Sequence, residues 1–371
     1  MNINYTIVSI ADIHFGALDP LYMYNNLKTQ FIQRLVPLNF DILAICGDIF
    51  HAKYMSNNPI ISYTLSFIDD VINVCRNKNA SLIIIDGTHS HDNGQLKLFY
   101  HYLNDPSIEL HIIEEIQFIE TKGLRALCIP ERYGIPEETY KNILYESGMY
   151  DICFMHGTYK GSFHGTEVAT LNSVKTPIFG IEAFKNCMGP IIMGHYHISS
   201  CYDNYAYYNG SPFRWQFGEE QTKGFLVTLY NRYSRRHYTE LIPIESYKYI
   251  TININDIINN DPKYIIEYIK NQKEVNHIDY IRLQYDTNNE NINIARTYFR
   301  NQTNIVFQEL NRKSNQLIEI DTGLKEMQNK YSYITDPNID DYHKFVQYIN
   351  QQEKCQFITV EDLIKILERE V

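Results

Sequence analysis

The chain has 371 residues, 44% of them hydrophobic and 21% charged, with a formal net charge of −11. The length favours two or three domains, and the composition supplies a core and excludes wholesale disorder. The negative balance weighs against nucleic acid as a partner, because duplex affinity rests on Lys and Arg at phosphates; a carboxylate-rich metal site or a basic partner subunit would offset it.

The opening run, MNINYTIVSIADIHFG, lacks a basic segment, an apolar segment and a cleavage site in series, and reads as a first strand and not a signal peptide. A helix from about Leu21 to Leu35 follows, then the strand DILAICGD and a helix from about Pro59 to Cys75. SLIIIDGT is a third strand and NGQLKLFYHYL a helix. These strands are unbroken apolar runs, as expected of strands buried on both faces, as in a parallel sheet covered by helices. IQFIETKGLRALCIPE reads as a hairpin turning at Lys122-Gly123. DICFMHGT and GPIIMGHYH are apolar strands running into polar loops, and the stretch from Tyr205 to Ile244 reads as antiparallel strands with Gly-rich turns. The expected fold is α/β: a β-sandwich flanked by helices over residues 1–245.

A boundary falls near Ile244–Lys248. Beyond it, YKYITININ, a helix from about Pro262 to Gln272, HIDYIRLQYD, a helix from about Ile292 to Arg300, and NIVFQEL form a small α+β domain over 246–310. A polar linker covers 311–336, and helices over 337–371 carry apolar faces, Phe345 with Ile349, and Leu363 with Ile366 and Leu367. Thr359 and Asp362 form a capping-box start for the last of them. The seven cysteines, Cys46, Cys75, Cys128, Cys153, Cys187, Cys201 and Cys355, are scattered without a CxxC pair, which points to a reducing cytoplasm. No apolar run is long enough to cross a bilayer, so no membrane partner is expected. Arg232, Arg235, Arg236 and His237 form one compact basic cluster, read as a solvated turn.

Five segments share one character: each follows an apolar strand and ends in Asp or His. They are Asp12-Ile-His14, Gly47-Asp48-Ile-Phe-His51, Gly87-Thr-His-Ser-His91-Asp92, His156-Gly157 and Gly194-His195-Tyr-His197. Open α/β sheets bind ligands beyond the carboxyl ends of their strands, so the five converge on one crevice. Imidazole and carboxylate without thiolate select manganese, iron or zinc. Two such ions, roughly 3.5–4 Å apart, clamp a phosphate for in-line attack. His101, His111 and His277 are read as structural or surface residues.

The series D-x-H, G-D-x-x-H, a Gly- and His-bearing third loop, a lone His and G-H-x-H resembles the motifs of calcineurin-like metallophosphoesterases. The segment Asn209-Gly-Ser-Pro-Phe-Arg-Trp-Gln-Phe-Gly218-Glu219, with Lys223-Gly224-Phe225, is similar to the SbcD family of double-strand-break repair nucleases and to nuclease subunits of bacteriophage recombination complexes. The likeness covers about residues 1–245; the α+β unit matches that family's capping domain by size and order, and the tail its ATPase-binding region by position.

The resemblance implies two divalent ions, Mn2+ by preference. Asp12, His14 and His197 would hold the first, Asp48 would bridge, and His156 and His195 would hold the second. His91 would be the transition-state histidine, Asp92 its orienting partner, and His51 a histidine near the substrate phosphate. The family's third motif places a metal-binding Asn directly before its His. Here Ser90 occupies that place in a loop two residues longer, with His89, Thr88 or a water as alternative ligands.

The resemblance further implies a DNA nuclease, a 3′–5′ exonuclease and single-strand endonuclease, hydrolysing phosphodiesters with a hydroxide held between the metals. It implies a homodimer, an SbcC-type ABC ATPase partner with a coiled coil, and a place in the cytoplasm, the host's if the gene is a phage's. The rival readings are a phosphoprotein phosphatase or small-molecule phosphodiesterase on the same site, and a non-catalytic scaffold.

Overall fold

The computed structural model describes residues 4–92, 94–132, 140, 142–144, 148–160, 178–254, 261–286, 290–310, 343, 344 and 346. The expected linker lies outside the described residues, as do the C-terminal helices apart from His343, Lys344 and Val346. Two compact units divide the chain: Met1–Gln284 with Glu290–Phe307, and Tyr285–Asn289 with Gln308–Val371.

The first unit contains a sandwich of two six-stranded sheets. In one, β1 (Asn4–Ile10), β2 (Ile42–Cys46), β3 (Ser81–Ile85) and β4 (Glu109–Ile113) run parallel, and β13 (Gly224–Asn231) and β14 (Arg236–Pro243) extend the β1 edge antiparallel. In the other, β6 (Leu124–Ile129), β7 (Ile152–His156), β10 (Ile191–Gly194) and β12 (Ala206–Tyr208) run parallel between the antiparallel edges β5 (Gln117–Thr121) and β11 (Ser200–Tyr202). Thus the Tyr205–Ile244 stretch, read as one antiparallel group, divides between the sheets: β12 joins one and β13 the other. The short pair β8 (Thr158–Tyr159) and β9 (Ile178–Phe179) forms a two-stranded sheet of its own.

The unbroken apolar strands are explained by what covers them. Side chains alternate along a strand, so a residue pair faces opposite cores. Ile42, Ala44 and Cys46 face the space between the sheets, with Ile85, Ala126, Phe154 and Ile192. Leu43 and Ile45 face a core built with Met23, Phe31, Phe67 and Val71. On the far side of the second sheet, Leu127, Cys153, Met155 and Met193 pack with Tyr150, Tyr159 and Phe184.

Helix α1 (Pro20–Leu27) starts at Asp19, whose carboxylate accepts from Tyr22 N–H, and runs into a π-helical stretch, Lys28–Ile32, before ending as α2 (Gln33–Leu35). The Thr29 hydroxyl donates to the carbonyls of Asn25 and Asn26 there, competing with the regular ladder. Helix α3 (Pro59–Lys78) is capped by Asn58 and closed by Asn79 in the left-handed region. Residues Leu96–Asn104, expected to be helical, form a 3-10 helix. Its buried residues Leu96 and Phe99 are three apart, the spacing that a three-residue turn places on one side. Lys122 and Gly123, both at positive φ, make the two-residue turn between β5 and β6. Arg232 in the β13–β14 turn is an anchor as well as a surface residue: its Nε lies 2.8 Å from buried Asp151.

A third sheet, ordered β15 (Tyr249–Asn253), β16 (Tyr280–Tyr285), β17 (Ile305–Glu309), accompanies helices Pro262–Glu274 and Glu290–Tyr298. Among the described residues no helix is long and apolar enough to cross a membrane.

Candidate metal centre

Both sheets present the carboxyl ends of their parallel strands at one edge of the sandwich. Asp12 and His14 follow β1, Asp48 follows β2, and Thr88 to Asp92 follow β3; from the second sheet, Glu131 follows β6, His156 ends β7, and His195 and His197 follow β10. The first loops remain laced together beyond the strands: Asp12 N–H donates to Gly47 O at 3.1 Å, His14 N–H to Asp48 O at 3.0 Å, and Phe15 N–H to Ile49 O at 2.8 Å. Asp12, His14, Asp48 and His195 all have positive φ, at 52°, 51°, 52° and 111°. Left-handed backbone costs a non-glycine residue on the order of 1 kcal/mol, and its concentration at four residues of one site marks a functional constraint.

Two glycines make the convergence possible. A Cβ on Gly47 would stand 2.1 Å from His156 Nδ1, and Gly47 also has φ of +85°. A Cβ on Gly194 would stand 2.0 Å from Cys46 O of the opposite sheet.

The side chains assemble into groups whose ligand atoms lie within 4.8 Å of one another: Asp12, His14 and His197; Asp12, Asp48 and His156; Glu131, His156 and His195; and His14, His51 and His91. Asp48 Oδ2 is 3.6 Å from His14 Nε2 and 3.4 Å from His156 Nε2, placing one carboxylate oxygen between the two sides of the site. Both ring nitrogens of His14 are buried without a hydrogen-bond partner. An unsatisfied buried polar atom costs about 1–3 kcal/mol, a cost a bound cation removes at the coordinating nitrogen. Imidazoles and carboxylates without thiolate, with an orphaned buried nitrogen among them, fit a divalent metal.

The histidines are fixed from behind. His156 Nδ1 donates to Cys46 O at 2.8 Å, leaving Nε2 toward Asp48 and Glu131. His91 Nδ1 donates to His51 O. A carbonyl only accepts, so Nδ1 carries the proton in each. His197 Nδ1 lies 3.4 Å from Glu219, while buried Lys223 donates to His197 O and Ser211 Oγ, each at 2.9 Å. Glu219 also accepts from Trp215 N–H at 3.1 Å. The Asn209–Lys223 segment therefore wraps the His197 loop, and Asn209 bridges Ser9 Oγ and Met193 O across the two sheets. The indole of Trp215 stands edge-on to His14 at 4.5 Å and to His197 at 4.6 Å.

Electrostatics follow from burial. Burial pushes Asp12 up to about 6, with His156 and His197 opposing. Burial acts on Asp48 in the same sense, yet the imidazoles of His156 and His14 hold its carboxylate below the usual range. Burial lowers His14 well below an ordinary imidazole. It also disfavours charge on His156, but Asp48 overrides it and raises His156. A cation binding at His156 displaces that proton, as metal ligands require. Burial brings Lys223 down to about 8, with Glu219 opposing.

The structure brings Asp12, His14, Asp48, His156, His195 and His197 into this site, with His51 and His91 at its His14 side. Two expected placements differ. Ser90 is exposed, as is His89; the Thr88 hydroxyl is the third-loop group in the site, 3.1 Å from Asp48 Oδ2 and 3.3 Å from His156 Nε2. The two extra residues let the loop bulge outward after Thr88. Asp92 does not hold the His91 ring: its carboxylate accepts the backbone N–H groups of Ile49, Phe50 and Gly87, tying the second loop to the third, and His91 is held by His51 O.

Sequence reasoning passed over Glu131. The run ending at Glu131 reads as a hairpin strand, which gives its terminal carboxylate no role. The available signal was the same one that marked the other segments, an apolar strand ending in a polar residue.

The sequence matches no protein-family model. A curated relative, "Putative phosphoesterase 244L" of Invertebrate iridescent virus 6, is 23% identical over 269 residues, covering 68% of this chain and 87% of its own length. A solved structure aligns with 64% of this chain and 99% of its own at 13% identity, but with a TM-score of 0.40 the superposition carries no argument. The mixed α/β sandwich is compatible with a phosphoesterase-type fold, and its buried Asp and His groups, taken with the viral relative, fit a metal-dependent phosphoesterase.

Proposed function

We propose that this chain is a metal-dependent DNA nuclease acting on phosphodiesters, with two divalent ions of the manganese type. The observation that carries the reading is Asp48, whose one carboxylate oxygen reaches toward His14 on one side and His156 on the other. Asp12, His14, His197 and Asp48 would hold one ion, and Asp48, His156 and His195 the other. Bound there, such ions neutralise a phosphoryl group and activate water.

The chain's own residues supply the rest. His91, its Nδ1 fixed by the His51 carbonyl, lies beside His14, where as an imidazolium it would donate its Nε2 proton to a leaving oxygen. Trp215 walls the same side, half-buried against His14 and His197, and would be the ring for a nucleobase to stack on. Asp92 holds the loops of Asp48 and His91 in register. The Asn209–Lys223 segment supports the nuclease reading over a phosphatase, because the similarity to SbcD-type nucleases extends into it and it positions His197.

The test is cleavage of linear and single-stranded DNA with Mn2+, alongside a phosphoserine peptide. Wild type should degrade DNA and leave the peptide. His91→Ala should lose about 10²–10⁴-fold in turnover, the usual size of a general-acid contribution, while His89→Ala, altering an exposed ring, should stay near wild type. Rapid peptide dephosphorylation with inert DNA would replace the nuclease by a phosphatase, and inertness on both would leave a scaffold.

The partners belong to the same proposal: a homodimer, the 246–310 unit as a cap over DNA, and residues 337–371 as helices gripping the coiled-coil base of an ABC ATPase. Deleting 337–371 should leave short-oligonucleotide hydrolysis within about 2-fold of wild type, the scale of a change remote from the site, and abolish co-purification with such an ATPase. A truncated chain that is insoluble or inactive would assign the tail to the core.

A further inference from the structure

The third loop offers the site no amide. Ser90 and His89 are exposed, and Thr88 contributes only a neutral hydroxyl. On the opposite side of that hydroxyl stands a residue from the second sheet. Glu131 is 4% exposed and follows β6, one strand beyond β7 and two beyond β10, the strands carrying His156 and His195. Its Oε2 lies 3.0 Å from His195 Nδ1, 3.5 Å from His156 Nε2 and 3.2 Å from Thr88 Oγ1. The Glu131, His156 and His195 ligand atoms form one of the compact groups, and Asp48 Oδ2 completes it from the first sheet, 3.4 Å from His156 Nε2.

We propose that Glu131 is a direct ligand of the second cation, occupying the coordination position that a third-loop amide would otherwise fill. The inference rests on the two-metal reading above and deepens it. A carboxylate in place of an amide adds one negative charge to the second position, which then has two anionic ligands, Asp48 and Glu131, beside two imidazoles. Charge on the ligands strengthens cation binding, and a carboxylate suits hard ions such as manganese and magnesium better than softer ones. The outward bulge of the third loop follows from the same substitution: with the position filled from β6, the loop has no need to bring Ser90 inward.

The test counts ions and does not depend on any substrate. Mn2+ is titrated into the full chain while free Mn2+ is followed by its electron paramagnetic resonance signal, which gives the total bound. Fluorescence of Trp215, the single tryptophan, follows the first position, because its ring lies 4.5 Å from His14 and 4.6 Å from His197. Wild type should bind two ions. Glu131→Ala, which removes the ligand oxygen altogether, should bind one at wild-type affinity and the other at least about 100-fold more weakly, beyond the 10–100-fold loss that follows removal of an outer supporting partner, with the Trp215 response unmoved. Ser90→Ala should bind two. Wild type with two ions and Glu131→Ala with two of unchanged affinity overturns the inference alone, as does Ser90→Ala losing one. Wild type with fewer than two overturns it together with the two-metal reading. Should Glu131→Ala not fold, anomalous scattering from Mn2+-soaked wild-type crystals decides: a second ion coordinated by Glu131 sustains the inference, and one beyond its reach ends it.

Discussion

Asp48→Asn should reduce metal-dependent hydrolysis by about 10⁴-fold or more, roughly 5 kcal/mol of barrier, while the chain remains folded. The substitution keeps the volume and keeps an oxygen for Thr88 N–H, which donates to Asp48 Oδ1 at 2.6 Å. What it removes is the charge facing His14 and His156 at once. An amide presents one ligating oxygen and no negative charge to either ion. The measurement is turnover with saturating Mn2+, paired with far-ultraviolet circular dichroism. A folded variant that hydrolyses at near wild-type rate would end the two-metal account.

Gly194→Ala should destabilise the fold by about 3 kcal/mol or more, at the upper end of what overpacking a core costs. The added methyl has no flexible side chain to displace. It meets the Cys46 carbonyl at 2.0 Å and the Ala11 methyl and His156 ring at 2.8 Å each, so the two sheets must separate. Urea unfolding in the presence of a chelator isolates this from any metal effect. A variant within about 0.5 kcal/mol of wild type, the usual range of surface substitutions, would show that the seam is softer than the packing implies.

Much of this was legible in the amino-acid sequence for a definite reason. Strands covered on both faces leave long apolar runs, and a polar residue at the end of such a run stands out. Asp12, Asp48, His156 and His195 were readable on that ground alone. Which strands share a sheet was not, because β12 and β13 are near in sequence and their separation depends on which core each apolar face meets. Glu131 escaped because the strand before it is paired in a hairpin with β5, and that local pattern accounted for the whole segment. Asp92 was assigned to its neighbour in sequence when its carboxylate serves backbone groups more than forty residues away as well as Gly87. The third loop was aligned by residue type, and a bulge moves a side chain from inside to outside without altering composition.

The distribution of the candidate ligands over the sandwich has a mechanical meaning. Asp12, His14 and Asp48 belong to one sheet, and His156, His195 and His197 to the other. An ion gripped by both is a rivet through two plates. Its binding energy then adds to the cohesion of the whole sandwich, by RT ln(1 + [ion]/Kd) for an ion that binds only the folded chain. The metal supply of the surroundings would in that way set how long the protein stays folded as well as how fast it works.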